Sequence, residues 1–442
     1  MKEVKKIPGD IRLLRRVFYG LLLLVCCSLQ ACKKVEKQDT STAYDPNSPV
    51  TYKDYYPKNG GVSTQMIIEG ANFGTDTALI RVYVNDKRAA VIGVNGTHIY
   101  ALVPPRAGTG KVKVVVGKEN HDKEYSFPDP FDYEFKHQVS TIAGQTDNNG
   151  NGKDQDGTYS SAWFDSPNWL LFDKDGALYV LQPGALRKLY KDQVTTLLKK
   201  SGPFERMRTL KFNLAEDTLY ITNDQGNATG LGTAVLFRNN GFSTYKPYIY
   251  SRQTNFGTVH PKTGDYFYNR FQDGMLFRFD KATNLPVEQF RIKDNDWEYS
   301  MLFTTDGNTA YIIVRNKNYI VKAEYNPATK RLENPLDWAG GINISDFKNG
   351  IGMEARFERP CQGAIDEDGN LYVADKNNHC IRKITVDGVV SVYAGIPKQA
   401  GYVDGEPLKS QFRSPEGVAF GPDGGLYVAD FGNHRIRRIL VE

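Results

Sequence analysis

The chain has 442 residues with 12% aromatic residues, 26 tyrosines and 41 glycines, a balance that suits an all-β protein with many tight turns. Its formal charge of +5 sits at the amino terminus: residues 1–31 hold six Lys/Arg and two Asp/Glu, leaving 50 basic against 49 acidic residues. The remainder lacks the basic excess that nucleic-acid binding requires, and no nucleic-acid partner is expected.

The chain opens on Lys2, Lys5, Lys6, Arg12, Arg15 and Arg16, then an apolar run from Val17 to Val25. That run is too short to span a bilayer and reads as the core of an export signal over residues 1–31. It ends at Leu29-Gln30-Ala31-Cys32, which resembles the lipobox of bacterial lipoproteins. The resemblance implies acylation of Cys32 and a membrane partner reached through the lipid anchor. Residues 32–49 are polar without an apolar period and read as a flexible tether.

Residues 50–136 show alternating apolar runs bounded by Gly, Pro and Asn about every ten residues, as a β-sandwich requires. Tyr56-Pro57-Lys58-Asn59-Gly60-Gly61, Met66 to Gly74, Arg81 to Asn85, Val103-Pro104-Pro105 and Lys111 to Val116 resemble the IPT/TIG domain, an immunoglobulin-like sandwich. Gly70 and Gly74 are expected to supply positive φ in a turn. In that family the domain serves as a spacer or interaction module.

From residue 137 the chain repeats itself. Phe357 to Asp375 and Phe412 to Asp430 align position by position, and both continue into Asn-His-x-Ile-Arg at Asn378 to Arg382 and Asn433 to Arg437. These copies resemble the NHL repeat. Phe164 to Leu189 gives a third copy without the Asn-His pair, and three weaker copies lie between. Six blades follow, starting near residues 144, 204, 253, 297, 340 and 395. The last copy ends after its third strand, while Val139 to Ala143 matches the fourth strand Val389 to Tyr393. The chain is therefore expected to close the ring with Val139–Ala143 and so remove an open edge. The fold class is all-β, an immunoglobulin-like (IPT/TIG) sandwich followed at 137–442 by a six-bladed NHL β-propeller.

In the three fuller copies, Asp-Gly between apolar runs predicts a two-residue hairpin. The Asp ending the second strand is expected to accept N–H bonds in the turn after it. Cys361 and Cys380 fall on the first and third strands of one blade, too far apart for a disulfide.

Loops entering the first strand and leaving the second gather on one propeller face, the default site. Asn168, Tyr299, Cys361 and Glu416 occupy one equivalent position there, with Trp297 beside them. Asn223, Asn269, Arg270, Arg315, Asn316 and Phe431 follow the second strands. Aromatics beside amides, Arg and carboxylates suit a sugar, and Trp297, Tyr299, Asn168, Arg270, Arg315 and Glu416 are the candidate ligand contacts. No catalytic residue, metal or cofactor is assigned. The run Asp147 to Thr158 resembles half of an EF-hand loop but lacks its closing Glu, and whether it takes calcium stays open. Of the six histidines, only His260 lies in the propeller outside the repeat's own positions and the junction.

The whole layout resembles Bacteroidota lipoproteins that accompany outer-membrane glycan import. That resemblance implies an outer-membrane, cell-surface protein binding a glycan without catalysis in a Sus-like uptake system, alongside a transporter complex. The alternatives are an envelope scaffold that binds a peptide, and a propeller lyase or hydrolase.

Overall fold

The computed structural model describes residues 43–117, 123–135, 137–291 and 298–441. The signal segment, Cys32 and Trp297 lie outside these residues. Among the described residues the regular secondary structure is strand, apart from single-turn 3-10 segments, with turns and loops between. They form two compact units, the first holding most of residues 43–131 and the second continuing to 441.

The first unit is a sandwich. Thr51–Tyr56, Gln65–Ala71, His98–Leu102 and Lys87–Val94 pair as one sheet. Ile80–Val84, Gly110–Val116 and Lys123–Tyr133 form the other, and Lys87–Val94 pairs with both. Strand alternation turns Tyr55, Met66, Ile68, Val82, Val84, Ile99, Val112, Val114 and Phe131 into a closed core, each essentially without solvent exposure. The expectation for Gly70 needs correcting. Gly74 takes φ +74, but its partner in left-handed backbone is Asn72 at φ 64. Gly70 is there for space, since a Cβ on it would lie 2.1 Å from the Thr51 carbonyl oxygen.

The second unit is a six-bladed propeller. Its innermost strands, Trp169–Phe172, Met207–Phe212, Gly257–Val259, Tyr299–Phe303, Pro360–Ile365 and Gly417–Phe420, contact one another in a closed ring. Each blade is a four-stranded antiparallel meander, and the first and fifth carry one short extra edge strand. His137–Ala143 pairs with Arg435–Val441, so the start of the domain supplies the last blade's fourth strand. Both faces of a blade are covered, which explains why Leu178–Gln182 and Leu371–Asp375 are buried at every position.

Two details of the repeat differ from the sequence expectation. The Asp-Gly hairpins are not two-residue turns. Gly176 N–H donates to the Asp173 carbonyl and Asp173 N–H to that of Ala177, with Gly176 at φ +80. The pattern recurs at 366–370 and 421–425. It is the longer hairpin in which a left-handed glycine follows a turn, and it uses the same dipeptide. The repeat's Asp also looks the other way: Asp375 Oδ1 accepts from Glu358 N–H and Asp430 Oδ1 from Arg413 N–H, both in the segment entering the first strand. Their second oxygens take Arg382 and Arg437, whose side chains are wholly buried. Burial pushes both carboxyls up to about 6 against the pull of these arginines.

The repeat's histidines join neighbouring blades. His379 Nδ1 accepts Ser414 N–H, and His434 Nδ1 accepts Ser166 N–H across the seam where the ring closes. Cys361 and Cys380 are free and buried on their two strands.

Candidate functional site

Counting two residues back from the register of each second strand places six equivalent side chains at one end of the central channel: Asn168, Arg208, Asn255, Tyr299, Cys361 and Glu416. Trp169, Thr209, Ser300 and Gln362 lie one layer deeper. That layer is a floor. Gln362 Oε1 accepts the N–H groups of Leu170 and Val418, and its Nε2 donates to the Leu170 carbonyl, tying three blades together. Ser300 Oγ donates to the Cys361 carbonyl, and Thr209 Oγ1 accepts Gly257 N–H. The space left at this level is about 30 Å³, roughly one water. It separates an upper cup of about 310 Å³ from a lower channel cavity of about 330 Å³.

The cup is polar and strongly charged. Residues entering first strands (Arg206, Glu298, Arg359, Glu416) meet residues leaving second strands (Asp224, Arg315, Lys376) in one network. Arg208 reaches Asp224 at 2.7 Å and Glu298 at 3.3 Å. Arg315 bridges Glu298 at 3.3 Å and Glu416 at 2.9 Å. Arg359 binds Glu298 at 3.0 Å, Arg206 lies 3.6 Å from Asp224, and Lys376 pairs with Glu416. Phe431 completes the wall, with the Lys376 ammonium 4.6 Å above its ring. Asn168 Oδ1 and Arg315 Nε are buried at the base without a hydrogen-bond partner.

Burial alone would raise the Glu416 carboxyl, but Arg315 and Lys376 outweigh it and hold it below its ordinary value. Burial pushes the Cys361 thiol up to about 12, although Arg315 acts against it. Tyr299 is driven well above the usual phenol range by burial.

Of the six sequence candidates, Asn168, Arg315 and Glu416 meet in the cup. Tyr299 contributes to the floor but is only 2% exposed, packed on Phe256, so it offers no stacking platform. Arg270 is taken by Asp273 at 2.7 Å in its own turn and does not join the network. Trp297 lies outside the described residues. Asn223 and Asn269 are structural: each side-chain oxygen accepts two N–H groups from the segment entering its own blade. His260 uses Nε2 on the Gly307 carbonyl and Nδ1 on the N–H groups of Lys262 and Thr263. In the loop 147–158, Asp147 caps the N–H groups of Asn149 and Asn151, while Asp154 and Asp156 serve Arg187. Sequence reasoning missed Arg206, Arg208, Asp224, Glu298, Arg359 and Lys376. Their signal was positional, since each lies at or just beyond the end of a first or second strand on the face already chosen.

The two units match two known families: the IPT/TIG domain over residues 51–135 and the NHL repeat over 364–384 and 412–439. An auxiliary nutrient binding protein of Bacteroides thetaiotaomicron is 30% identical, with a TM-score of 0.67, covering 90% of this chain and 99% of its own. The chain belongs to the same family as that protein, in which an IPT/TIG sandwich is joined to an NHL propeller. An auxiliary nutrient binding protein of Bacteroides ovatus is 27% identical over 91% of this chain and 100% of its own, also at 0.67. A further Bacteroides thetaiotaomicron protein, provisionally named a phosphatase, is 27% identical at 0.65, covering 90% of this chain and 98% of its own. Among curated proteins, mouse teneurin-3 is 36% identical over 175 residues, which is 36% of this chain and 6% of teneurin-3.

Proposed function

We propose that this protein is a non-catalytic nutrient-binding protein that holds a glycan in the cup at the propeller's channel mouth. The observation that carries the reading is that the reactive groups at the cup are already engaged: Glu416 is bound by Arg315 and Lys376, and Cys361 lies buried in the floor with its thiol 3.2 Å from the Arg359 carbonyl oxygen. A thiol titrating at about 12 is almost wholly un-ionised at neutral pH and makes a poor nucleophile. Glu416 is kept ionised by two cations and cannot deliver a proton near neutral pH. Groups fixed in this way orient and bind hydroxyls and charges without reacting with them. The cup's floor also stops a ligand from threading the channel, so a chain end or a short segment would be held. The nutrient-binding names of two relatives support the same reading.

In this proposal the lipid on Cys32 anchors the protein at the outer-membrane surface, the tether and sandwich form the stalk, and a transporter takes the ligand onward. Trp297, next to Glu298 in sequence, remains a candidate stacking residue.

Native affinity electrophoresis against soluble polysaccharides tests the role, with Trp297→Ala and Arg208→Gln alongside. Retardation by a polysaccharide, lost in either variant, is expected, with no change in polymer length on incubation. Depolymerisation would sink the non-catalytic reading. Absence of retardation across the panel would sink the glycan. Palmitate labelling that disappears in Cys32→Ser tests the anchor.

A further inference from the structure

We infer that the glycan held in the cup is acidic, its carboxylate or sulfate group lying among Arg206, Arg208, Arg359 and Lys376; this rests on the binding reading above. The argument is a charge balance. The upper cup is walled by Arg206, Arg208, Arg315, Arg359 and Lys376 against one lining carboxylate, Glu416. With Glu298 and Asp224 behind them, the network holds five cations and three carboxylates, an excess of two positive charges in a concave, half-enclosed site.

Concentrating like charge is unfavourable, and the carboxylates present do not balance it. Each of the three is already shared: Asp224 by two arginines, Glu298 by three, and Glu416 by an arginine and a lysine. Here the inner pairs hold the cations in position, and the surplus is left facing the cup.

The two outermost arginines have donors to spare. Arg206 and Arg359 have side chains 65% and 42% exposed, and each has a single carboxylate partner. A guanidinium offers five N–H donors in a rigid fork, and it binds carboxylate and sulfate oxygens in pairs. The low-dielectric walls of a cleft strengthen and focus such a field. Phe431, on the same wall, supplies a flat apolar surface for the sugar ring that carries the acid. A neutral glycan would leave the excess charge unanswered.

The test uses the mature chain in native affinity gels with two matched pairs. Polygalacturonate against its methyl ester probes carboxylate, and dextran sulfate against dextran probes sulfate. Inorganic phosphate and sulfate are run as competitors, and Arg206→Ala/Arg359→Ala is the variant. Both replaced side chains lie at the rim outside the packed blades, so the fold is expected to survive, checked by an unchanged melting temperature. The inference expects one acidic polymer to be retarded and its neutral partner not. Retardation should weaken about tenfold or more in the double variant and with added salt, which screens exposed charges. Equal retardation by a neutral polymer, unmoved by the variant, would overturn the acidic inference and leave glycan binding standing. Retardation by an acidic polymer that ignores the variant would overturn the cup as its location. Binding of inorganic anions alone, or of nothing, would overturn both readings.

Discussion

Asp430 and Arg437 meet inside the last blade with Oδ2 and Nη1 2.9 Å apart and neither side chain exposed. Asp375 and Arg382 repeat the arrangement in the blade before, at 3.0 Å. Each arginine also donates to backbone carbonyls of the loop entering its own blade, so one ion pair fixes strand to loop. A pair so buried is costly to break from one side, because the remaining charge has no solvent. Arg382→Met is expected to lower stability by about 3–5 kcal/mol, and Arg382→Met with Asp375→Leu by less than that. Urea unfolding of both variants is the measurement. A double variant as unstable as the single would mean that packing, not the orphaned charge, sets the cost.

His379 and His434 make the seams between blades sensitive to pH. Burial lowers both imidazoles, and each must be unprotonated at Nδ1 to accept its serine N–H. The folded values lie below the unfolded value near 6.5, so the unfolded chain takes up protons first as pH falls. The stability they contribute is present above about pH 6.5 and is lost as pH drops toward the folded values. The buried Asp375 and Asp430 act in the opposite sense, with stability lost as pH rises through about 6. Comparing the parent with His379→Asn/His434→Asn removes that term, because both proteins keep the aspartates. The parent's lead in melting temperature should be largest near pH 8 and shrink toward pH 5. A lead independent of pH would remove the histidines from the acid response.

How far the site could be read in advance depended on the register of each copy. Blades carrying the full Leu-Tyr-Val and Asp-Gly marks allowed counting to Asn168, Cys361 and Glu416, and the weaker fourth blade still yielded Tyr299. The second and third blades carry no Asp-Gly, so Arg208 and Asn255 at the same ring position went unassigned. The network was harder still, because its members come from different blades and only closure of the ring brings Glu298 to Arg208 and Arg359. The partner of Asp375 was hidden for a similar reason: Glu358 N–H lies seventeen residues upstream, whereas turn chemistry points a few residues downstream. Exposure was not legible either, since Tyr299 reads as a platform in sequence and is a core residue in space.

Lys211 lines the otherwise largely apolar lower cavity, beside Leu210, Val259 and Phe303. Burial lowers its amine although the charge of Glu216 acts against it, and no salt bridge to Lys211 forms among the described residues. A cation without a partner in such surroundings costs stability, and a methionine of similar length keeps the packing. Lys211→Met should raise stability by about 1–2 kcal/mol, read from the midpoint of chemical unfolding. A loss would show that the amine has a role in the cavity, such as a ligand of its own.

The inertness of Cys361 can be measured directly. At pH 8 a thiol titrating at about 12 is ionised to roughly one part in ten thousand, and burial also pushes the Cys380 thiol well above its ordinary value. In the mature chain carrying Cys32→Ser, no adduct with a thiol reagent is expected from the native protein and two from the unfolded one. Rapid labelling of Cys361 alone in the native state would mean that the floor opens, and would reopen the case for chemistry in the cup.

Closure of the ring is the last relationship open to a direct test. His137–Ala143 covers the edge of Arg435–Val441, with Val139 opposite Ile439 and both wholly buried. Val139 is also bound in both directions to Gly405, in the loop that enters the same blade. Replacing residues 137–143 with a glycine-serine segment of equal length would uncover that edge and its apolar side chains. An exposed, unpaired strand recruits other chains, so loss of monomer on size exclusion and a broadened thermal transition are expected. The single substitution Val139→Asp, which keeps the ladder but buries a charge, should cost about 3 kcal/mol or more without that aggregation. If the glycine-serine chain stayed monomeric with an unchanged melting temperature, the seam would carry no stability. The propeller would then be held by its inner ring alone.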